Sequence, residues 1–473
     1  MTEEKPYLHL DLRSLALMRI GLGLVILLDL SLRARNLVVF YTDQGVLSRR
    51  DLLTSDLPDL WFSLYFGGGG WPTAAVLFLL TAACAWQLIR GWQTRWMVAA
   101  LWLLVNSLCE RNPLVADRGD LELILVLFWG FFLPLDGRWS QSPAPPEQSN
   151  VVRNVATVAF TLQLAQVYFF AGLLKHGQAW SENGQGLWLS LRSALFATGL
   201  GQALSAYPEL LHPLNYVLVF GEIMVGFLLL SPAFIEETRN LTVAALVVFH
   251  LLIGLLFHLG IFPIIALIAV LGLLPPSFWQ SRSGVFLSSH LERRFGPASP
   301  RSLPSLGWAQ KVFLAVCVAY TLVCNLLMFP ELDSRRIPEP LKTFGSLLRL
   351  EQHWDLFGPL PPYDGWFVLE AVPEGIDLLR DRPVTYDRQH NLFPDHRWRM
   401  FSITLLFPVG EPFVANYVHY QVERYRRAHP HQIVREVTLR FEFRQPDGSL
   451  QSRTLWRGSV EPSDRSRAPD REE

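Results

Sequence analysis

The chain has 473 residues, half of them hydrophobic, and its formal net charge at pH 7 is −1. With a mean hydropathy of +0.23 it is too apolar for an ordinary soluble enzyme. The near-zero charge balance argues against a nucleic-acid partner.

Long apolar runs recur along the first 330 residues, behind a polar stretch at residues 1–12. They predict a polytopic α-helical membrane protein of about nine spans, embedded in a lipid bilayer, with a multi-span domain at residues 13–330. A linker rich in Pro, Ser and Gln at residues 140–150 divides the spans into two groups. The predicted spans are Leu15–Leu32, Trp71–Ile89, Trp96–Leu108, Leu121–Leu135, Val151–Leu174, Leu214–Leu230, Leu241–Phe257, Ile261–Leu274 and Gly307–Phe329.

Residues 331–473 are expected to lie in water outside the bilayer, because charge density rises and no run is long enough to span a bilayer. We predict a small β-rich (α+β) extramembrane domain at residues 331–460 and a disordered tail at residues 461–473. Its expected elements are a strand within residues 354–372, a second strand over Trp398–Phe407, a helix over Phe413–Arg427, and a hairpin of residues 435–444 and 450–458 around the turn Pro446-Asp447-Gly448-Ser449.

Loop arginines predict the orientation. Arginines at positions 90, 95, 138, 153, 239, 282, 293, 294 and 301 fall in alternate loops. The positive-inside rule then favours a cytoplasmic N-terminus. Nine crossings would put Lys175, the loop Glu110–Asp120 and the C-terminal domain together on the outer side.

Charged side chains interrupt several spans. Asp29 and Arg33 are i,i+4 neighbours on one face of the first span, and Arg19 lies near the same stripe. Because charges in an apolar helix are costly, they usually face a protein interior and pair. This set is either a structural ion-pair network or the lining of a binding cavity, and Glu222 and His250 in later spans have the same two interpretations.

Metal ligation has little support in the sequence. His250 and His258 are eight residues apart, whereas a helical metal pair normally has i,i+3 or i,i+4 spacing. The four cysteines lie in or beside apolar runs and show no CxxC spacing, which is typical of packed small hydrophobes. We therefore predict no metal.

Lys175 directly follows the fifth span and has two interpretations. It is either an anchor whose ammonium reaches the headgroups, or a partly desolvated amine whose pKa is lowered by burial so that it can act as a base. Tyr168 and Gln166 on the preceding turns are costly toward lipid and favour an inward face. We expect Lys175 to point into a cavity, with Trp180 forming part of its lid.

Three segments resemble a known family. YFFAGLLKHGQAW (168–180), MRIGLGLVILLDLSLRAR (18–35) and FHLLIGLLFHLGIFP (249–263) are similar to stretches of vitamin K-dependent γ-carboxylases. The membrane part of those enzymes is the horizontally transferred transmembrane domain. The resemblance covers residues 12–330 as an ordered series of short motifs. The soluble part is shorter than in animal carboxylases and looks like that of bacterial members, which implies a bacterial inner membrane protein.

The resemblance implies a chemistry. Lys175 falls on the lysine held to deprotonate vitamin K hydroquinone, a reduced quinone. Oxygenation of the quinol then yields a strong base that removes a γ-proton from a glutamate, and carbon dioxide adds. The family also carries a histidine near the stretch that corresponds to Glu110–Asp120, where this chain has Arg118 and Asp120 but no histidine.

Two functions remain open. The chain shows no phosphate loop, GxSxG elbow or HExxH motif. The first hypothesis is a carboxylase-like lyase that works through a quinol, with Lys175 as base. The second is a non-catalytic membrane protein that binds a lipid or a quinone, or that holds a protein or peptide partner through its C-terminal domain.

Overall fold

The computed structural model of the chain describes residues 8–55, 62–141, 150–193, 195–296, 306–329, 332, 337–357, 364–372, 375–383, 393, 395–444 and 449–460. The predicted polar stretch is therefore described from residue 8 onward, and the predicted linker only at its two ends. The predicted tail at residues 461–473 and the hairpin-turn residues 446–448 lie outside the described residues.

Helices form the main part of the described chain, and short 3₁₀ turns occupy Leu64–Gly67, Pro113–Val115 and Glu411–Phe413, with a π-helical turn at Gln178–Glu182. In chain order the α-helices are α1 (Leu12–Ala34), α2 (Leu37–Tyr41), α3 (Arg49–Leu53), α4 (Trp71–Arg90), α5 (Thr94–Arg111), α6 (Arg118–Gly130), α7 (Val155–Leu173), α8 (Gly186–Arg192), α9 (Gly199–Leu204), α10 (Pro208–Leu229), α11 (Ile235–Leu256), α12 (Phe262–Leu271), α13 (Pro276–Gln280), α14 (Arg282–Phe295), α15 (Trp308–Leu326), α16 (Glu339–Leu348), α17 (His396–Thr404) and α18 (Val414–Ala428).

Within the described residues, six helices are long and apolar enough to cross a membrane, namely α1, α4, α7, α10, α11 and α15. Each of the nine predicted spans coincides with a helix, but three of those helices are weaker candidates. α5 has 18 residues and includes Arg95, Glu110 and Arg111. α6 has 13 residues and α12 has 10. The count of nine is therefore too high for full-length candidate spans.

The strands form two sheets. A small ribbon pairs β1 (Leu10–Asp11) with β2 (Val151–Val152). The C-terminal domain holds an antiparallel sheet in the order β5-β4-β3-β6-β7. Its strands are β3 (Asp364–Val372), β4 (Ile376–Asp377), β5 (Arg382–Pro383), β6 (Glu436–Arg444) and β7 (Leu450–Ser459). The first predicted strand, the hairpin and the helix that becomes α18 are confirmed.

The second predicted strand is wrong, because the segment from Trp398 folds as helix α17. Asp395 caps this helix by accepting hydrogen bonds from the backbone N–H groups of Arg397 (2.9 Å) and Trp398 (3.1 Å). Trp398 and Phe401, spaced i,i+3, then share one face and pack on Phe40 at centroid distances of 4.9 and 5.9 Å. Tertiary burial of this face overrides the strand propensity of its aromatic residues.

The C-terminal domain packs on one end of the helical bundle. Arg118, at the start of α6, pairs with Asp355 at 2.7 Å. Trp180, just beyond α7, donates from Nε1 to the Phe357 carbonyl at 2.7 Å. The loop after α5, the end of α7 and the C-terminal domain therefore lie at the same end of the bundle.

Two glycines bring α7 and α10 close together. A Cβ built on Gly172 would lie 2.8 Å from both Ile223 Cγ1 and the Val219 carbonyl oxygen. One built on Gly226 would lie 2.7 Å from Phe169 Cβ. Small residues allow such close backbone approach between membrane helices. This contact sets the end of α7 against the middle of α10.

Candidate functional site

Lys175 forms a buried ion pair with Glu222 of α10. α7 ends at Leu173, and the Lys175 backbone N–H still bonds to the Gly172 carbonyl at 3.2 Å. The ammonium Nζ donates to Glu222 Oε2 at 2.7 Å and to the Ala171 carbonyl at 2.9 Å. Lys175 is 5% exposed and Glu222 is 9% exposed. The amine thus lies inside the protein and does not extend toward headgroups.

Trp180 lies next to this amine. Lys175 Nζ is 5.8 Å from the indole centroid, within cation–π reach. The Trp180 carbonyl accepts a hydrogen bond from Asn215 Nδ2 at 2.8 Å, and the Trp180 indole N–H donates to the Phe357 carbonyl. A Cβ on Gly186 would lie 2.2 Å from the indole, so only a glycine leaves room for the ring. Trp180 therefore connects the ion pair to the C-terminal domain.

Tyr168 and His250 form a second buried polar contact in the same region. Tyr168 Oη and His250 Nε2 lie 2.8 Å apart. Tyr168 also interacts electrostatically with Glu122 and Glu222. Glu122 is 3% exposed, and among the described residues neither its Oε2 nor His250 Nδ1 has a hydrogen-bond partner. The interior next to the ion pair thus holds polar atoms with unused hydrogen-bonding capacity.

The sequence prediction missed Glu122. It stands in the apolar run LELILVLFWG (121–130), and a lone carboxylate in such a run is a signal for function or for a buried partner. Its position near the charged loop Glu110–Asp120 concealed that signal. The structure shows it buried in the second turn of α6, where it interacts electrostatically with Tyr168.

Asp29, Arg33 and Asp120 meet in a different place, the charge cluster, which Arg397 completes. Arg33 Nε pairs with Asp29 Oδ2 at 2.6 Å, and its Nη2 forms an ion pair with Asp120. Arg33 Nη1 also donates to Tyr41 Oη at 2.8 Å. Arg33 and Asp120 are almost fully buried. The two charges predicted to share a face of the first span do pair with each other.

Arg397 enters the charge cluster from α17 of the C-terminal domain. It bonds to Asp120 Oδ2 at 2.5 Å and to Asp29 Oδ1 at 2.9 Å, and it also donates to the Val115 carbonyl at 2.9 Å. Burial disfavours its charged form, but the facing carboxylates outweigh that effect and hold the pKa of Arg397 above its ordinary value. Each of the two arginines of the cluster thus contacts both aspartates, so every buried charge has partners of opposite sign.

The two remaining arginine candidates lie elsewhere. Arg19 is fully buried and donates from Nη2 to the Trp139 carbonyl at 2.5 Å, in another part of the bundle. Arg118 pairs with Asp355 across the domain boundary, and a third of its side chain is exposed. Neither belongs to the charge cluster or to the group around Lys175.

A histidine does lie against the loop that precedes α6, although it comes from the C-terminal domain. His396 Nε2 is 2.5 Å from Oδ2 of Asp117, the residue that caps α6. Burial alone would raise the pKa of Asp117, but Arg397 and His396 reverse this and hold that pKa well below its usual range. Sequence analysis had no local signal for this contact between residues so far apart in the chain.

Two adjoining cavities open beside α17. The smaller, of about 90 Å³, is lined by Asp29, Leu32, Arg35, Gly260, Ile261, Asp395, His396 and Arg397. The larger, of about 420 Å³, is lined by Gly254, Phe257, His258, Leu259, Gly260, Pro263, Phe393, Asp395, His396 and Arg399. Neither of these two cavities is lined by Lys175 or Glu222, so the cavity expected around Lys175 is not one of them.

The structure brings no metal-binding set together among the residues it describes: no three His, Cys, Asp or Glu side chains lie close enough to hold an ion. His250 contacts Tyr168, whereas His258 lines the larger cavity. His250, in the seventh predicted span, and His258, directly after it, therefore lie at different sites.

Comparison with known proteins gives one match. Residues 123–279 match a family model described as HTTM domain. No curated protein and no solved structure matches the chain. The matched segment contains Lys175, Glu222, Tyr168, Trp180 and His250, whereas all four residues of the charge cluster lie outside it.

Proposed function

We propose that this multi-pass membrane protein, which carries the horizontally transferred transmembrane domain shared with vitamin K-dependent γ-carboxylase, uses Lys175 and Glu222 to take a proton from the hydroxyl of a reduced quinone. One observation carries the proposal: these two side chains form a buried 2.7 Å ion pair inside the matched segment. Intramembrane ionisable residues are functional candidates by default.

The pair divides the chemistry between its two members. In the ion pair the lysine already holds its proton, so Glu222 Oε2 is the atom that can accept one more. Once Glu222 is protonated, the deprotonated quinol replaces the carboxylate as the counter-ion of the Lys175 ammonium, which stabilises this anion. This assigns the proton-accepting role to Glu222 and the electrostatic role to Lys175.

The donor set around the pair fits a quinol. A reduced quinone, when bound, supplies an acidic hydroxyl and, after reaction with oxygen, a base strong enough to remove a glutamate γ-proton. The chain supplies a carboxylate, an ammonium and the flat indole of Trp180. Because Trp180 is fixed to the Phe357 carbonyl, we propose that entry of the ring requires this contact to open. The reaction class that follows is carboxylation of a glutamate side chain.

A non-catalytic role is the second candidate, and a specific observation favours it. Lys175 Nζ bonds to Glu222 and to the Ala171 carbonyl and faces the Trp180 ring. An amine with these partners also suits a purely structural ion pair, in a protein that binds lipid or holds a partner through its C-terminal domain. Activity measurements separate the two candidates.

The experiment uses the full chain in nanodiscs with vitamin K hydroquinone, oxygen, labelled bicarbonate and a glutamate-rich peptide. We expect label in the peptide, and its loss in Glu222→Gln and Lys175→Met. Lys175→Arg should retain measurable activity because arginine keeps the positive charge. If Lys175 itself accepted the proton, this variant would be inactive, because a guanidinium stays protonated. Lys311→Met, at an exposed lysine of α15, is the matched control and should behave as wild type. Absence of label with the wild-type chain would support the non-catalytic role.

A further inference from the structure

The larger cavity is a cleft between the membrane helices and the C-terminal domain. One wall comes from the end of α11 and the start of α12, with Phe257, His258 and Pro263. The other comes from α17 and the residues before it, with Phe393, His396 and Arg399. At about 420 Å³ the cleft is large enough for a lipid headgroup.

Arg399 is a cation without a counter-ion in the described structure. Its Nε and Nη1 atoms are buried and have no hydrogen-bond partner among the described residues. Its guanidinium lies 5.3 Å from the centroid of the Phe393 ring. Burial lowers the pKa of Arg399 to about 10, which still leaves the group charged at neutral pH. Arg397, two residues earlier, differs because it is paired with Asp29 and Asp120.

The other polar groups of the cleft do not neutralise Arg399. His258 is exposed to the cleft, and its pKa is lowered by partial burial and by the neighbouring Arg399 and His396. His396 faces Asp117 with Nε2, while its Nδ1 has no partner among the described residues. Asp395 is already used, since it caps α17 and also accepts a hydrogen bond from Asn36. The cleft therefore contains a cation, Arg399, whose Nε and Nη1 donors are unused among the described residues.

The membrane side of the cleft continues into an apolar surface. Gly254 and Phe257 line the cleft, and Leu251 and Leu255, in the last two turns of α11, are 54% and 59% exposed. Exposed leucines on a helix long enough to span a bilayer face lipid chains. A pocket at the end of such a helix, with an unpaired arginine in its wall, lies at the depth of lipid headgroups.

We propose that this cleft binds the phosphate of an anionic membrane lipid through Arg399 and His258, with the acyl chains along Leu251 and Leu255 of α11. The carboxylates of a soluble acidic peptide could also pair with Arg399, but such a peptide has no acyl chains to pack on Leu251 and Leu255. The site is separate from the Lys175–Glu222 pair and does not depend on the function proposed for that pair. A lipid bound there would form part of the interface between the membrane helices and the C-terminal domain.

The test measures lipid bound to the purified full chain by native mass spectrometry. Phosphatidylglycerol is the probe, phosphatidylcholine with the same acyl chains is the zwitterionic comparison, and inorganic phosphate is the chain-free anion. We expect phosphatidylglycerol to bind, and Arg399→Gln to weaken binding by about tenfold or more, as for loss of a charge-assisted hydrogen bond. His258→Gln should weaken it in the same direction. Arg457→Gln, at an exposed arginine of β7, is the matched control and should bind as wild type.

Four results would overturn the proposal: equal binding by Arg399→Gln and wild type, equal binding of phosphatidylcholine, displacement of the lipid by inorganic phosphate at equal concentration, or displacement by a glutamate-rich peptide. The last would assign the cleft to an acidic peptide. Because the Arg399 Nε and Nη1 atoms have no hydrogen-bond partner among the described residues, the variant should melt at the wild-type temperature in lipid-free detergent. That measurement separates loss of the site from loss of the fold.

Discussion

Arg397 donates a hydrogen bond of 2.5 Å from Nη1 to Oδ2 of Asp120, a residue 277 positions earlier in the chain. This contact places a guanidinium of the C-terminal domain inside the end of the membrane bundle, where both side chains are buried. The two parts of the protein are therefore joined by compensated charges in its interior. Separating them would leave unpaired charges in a poorly hydrated site.

Removal of Arg397 should strongly destabilise the protein. In Arg397→Met, the carboxylates of Asp29 and Asp120 would keep only Arg33 as a partner, and that of Asp117 would keep only His396. We expect a loss of about 3–5 kcal/mol in the free energy of unfolding, the typical cost of removing one partner of a buried pair. Thermal unfolding in detergent measures it. Arg424→Met, at an exposed position of α18, is the control and should change stability by less than about 0.5 kcal/mol. Equal melting temperatures of the two variants would show that the cluster is hydrated.

The Asp117 carboxylate should make part of the stability depend on pH. Its folded-state pKa lies below the ordinary value of 3.8 because Arg397 and His396 outweigh the effect of burial. The ionised group therefore contributes stability above about pH 3.8, and this contribution is lost as the pH falls through the folded-state pKa. We expect wild type to melt above Asp117→Asn at neutral pH and the gap to narrow in this acid range. A gap that does not change with pH would contradict the assignment.

Much of the fold could be predicted from the sequence, because hydropathy and helical period are local properties. All nine predicted spans are helices, and the i,i+4 pair of Asp29 and Arg33 is present. The length of each span was less certain, since α6 and α12 are short helices that the bundle buries. The predicted strand at Trp398 failed because its burial against Phe40 is a tertiary effect.

The candidate site could be predicted only in part. Lys175, Glu222, Tyr168 and His250 were recognised as polar residues in apolar surroundings, but the sequence does not say that Lys175 meets Glu222 47 residues later. Arg397 had no signal at all, since an arginine in a charged soluble domain is ordinary. Only the packing of α17 on the bundle reveals its role.

The glycine at 172 should control the geometry of the ion pair. In Gly172→Ala the new Cβ would lie 2.8 Å from the Val219 carbonyl and 2.9 Å from the Ile223 backbone nitrogen, so α10 must shift. We expect a loss of about 1–3 kcal/mol, as for other overpacked sites, together with reduced activity. Gly221→Ala on α10 meets no atom within 4 Å and is the matched control, with unchanged melting temperature. A wild-type melting temperature for Gly172→Ala would mean that the helices are farther apart.

The C-terminal domain should lie outside the cytoplasm, as the loop arginines indicate. The four native cysteines are buried, so we expect a thiol reagent to label only a cysteine added at the surface. We expect Ser452→Cys, exposed on β7, to react with a membrane-impermeant maleimide in intact cells. Ser283→Cys, exposed on α14, should react only after permeabilisation. The reverse labelling pattern would invert the orientation.

The most direct test of the central claim is the infrared difference spectrum of the full chain with and without bound vitamin K hydroquinone. If the Lys175–Glu222 pair accepts the quinol proton, a protonated carboxyl band should appear on binding and should be absent in Glu222→Gln. The band should persist in Glu122→Gln, which removes the other buried carboxylate near Tyr168. Bound quinol with no new carboxyl band, or a band that survives in Glu222→Gln, would contradict the account.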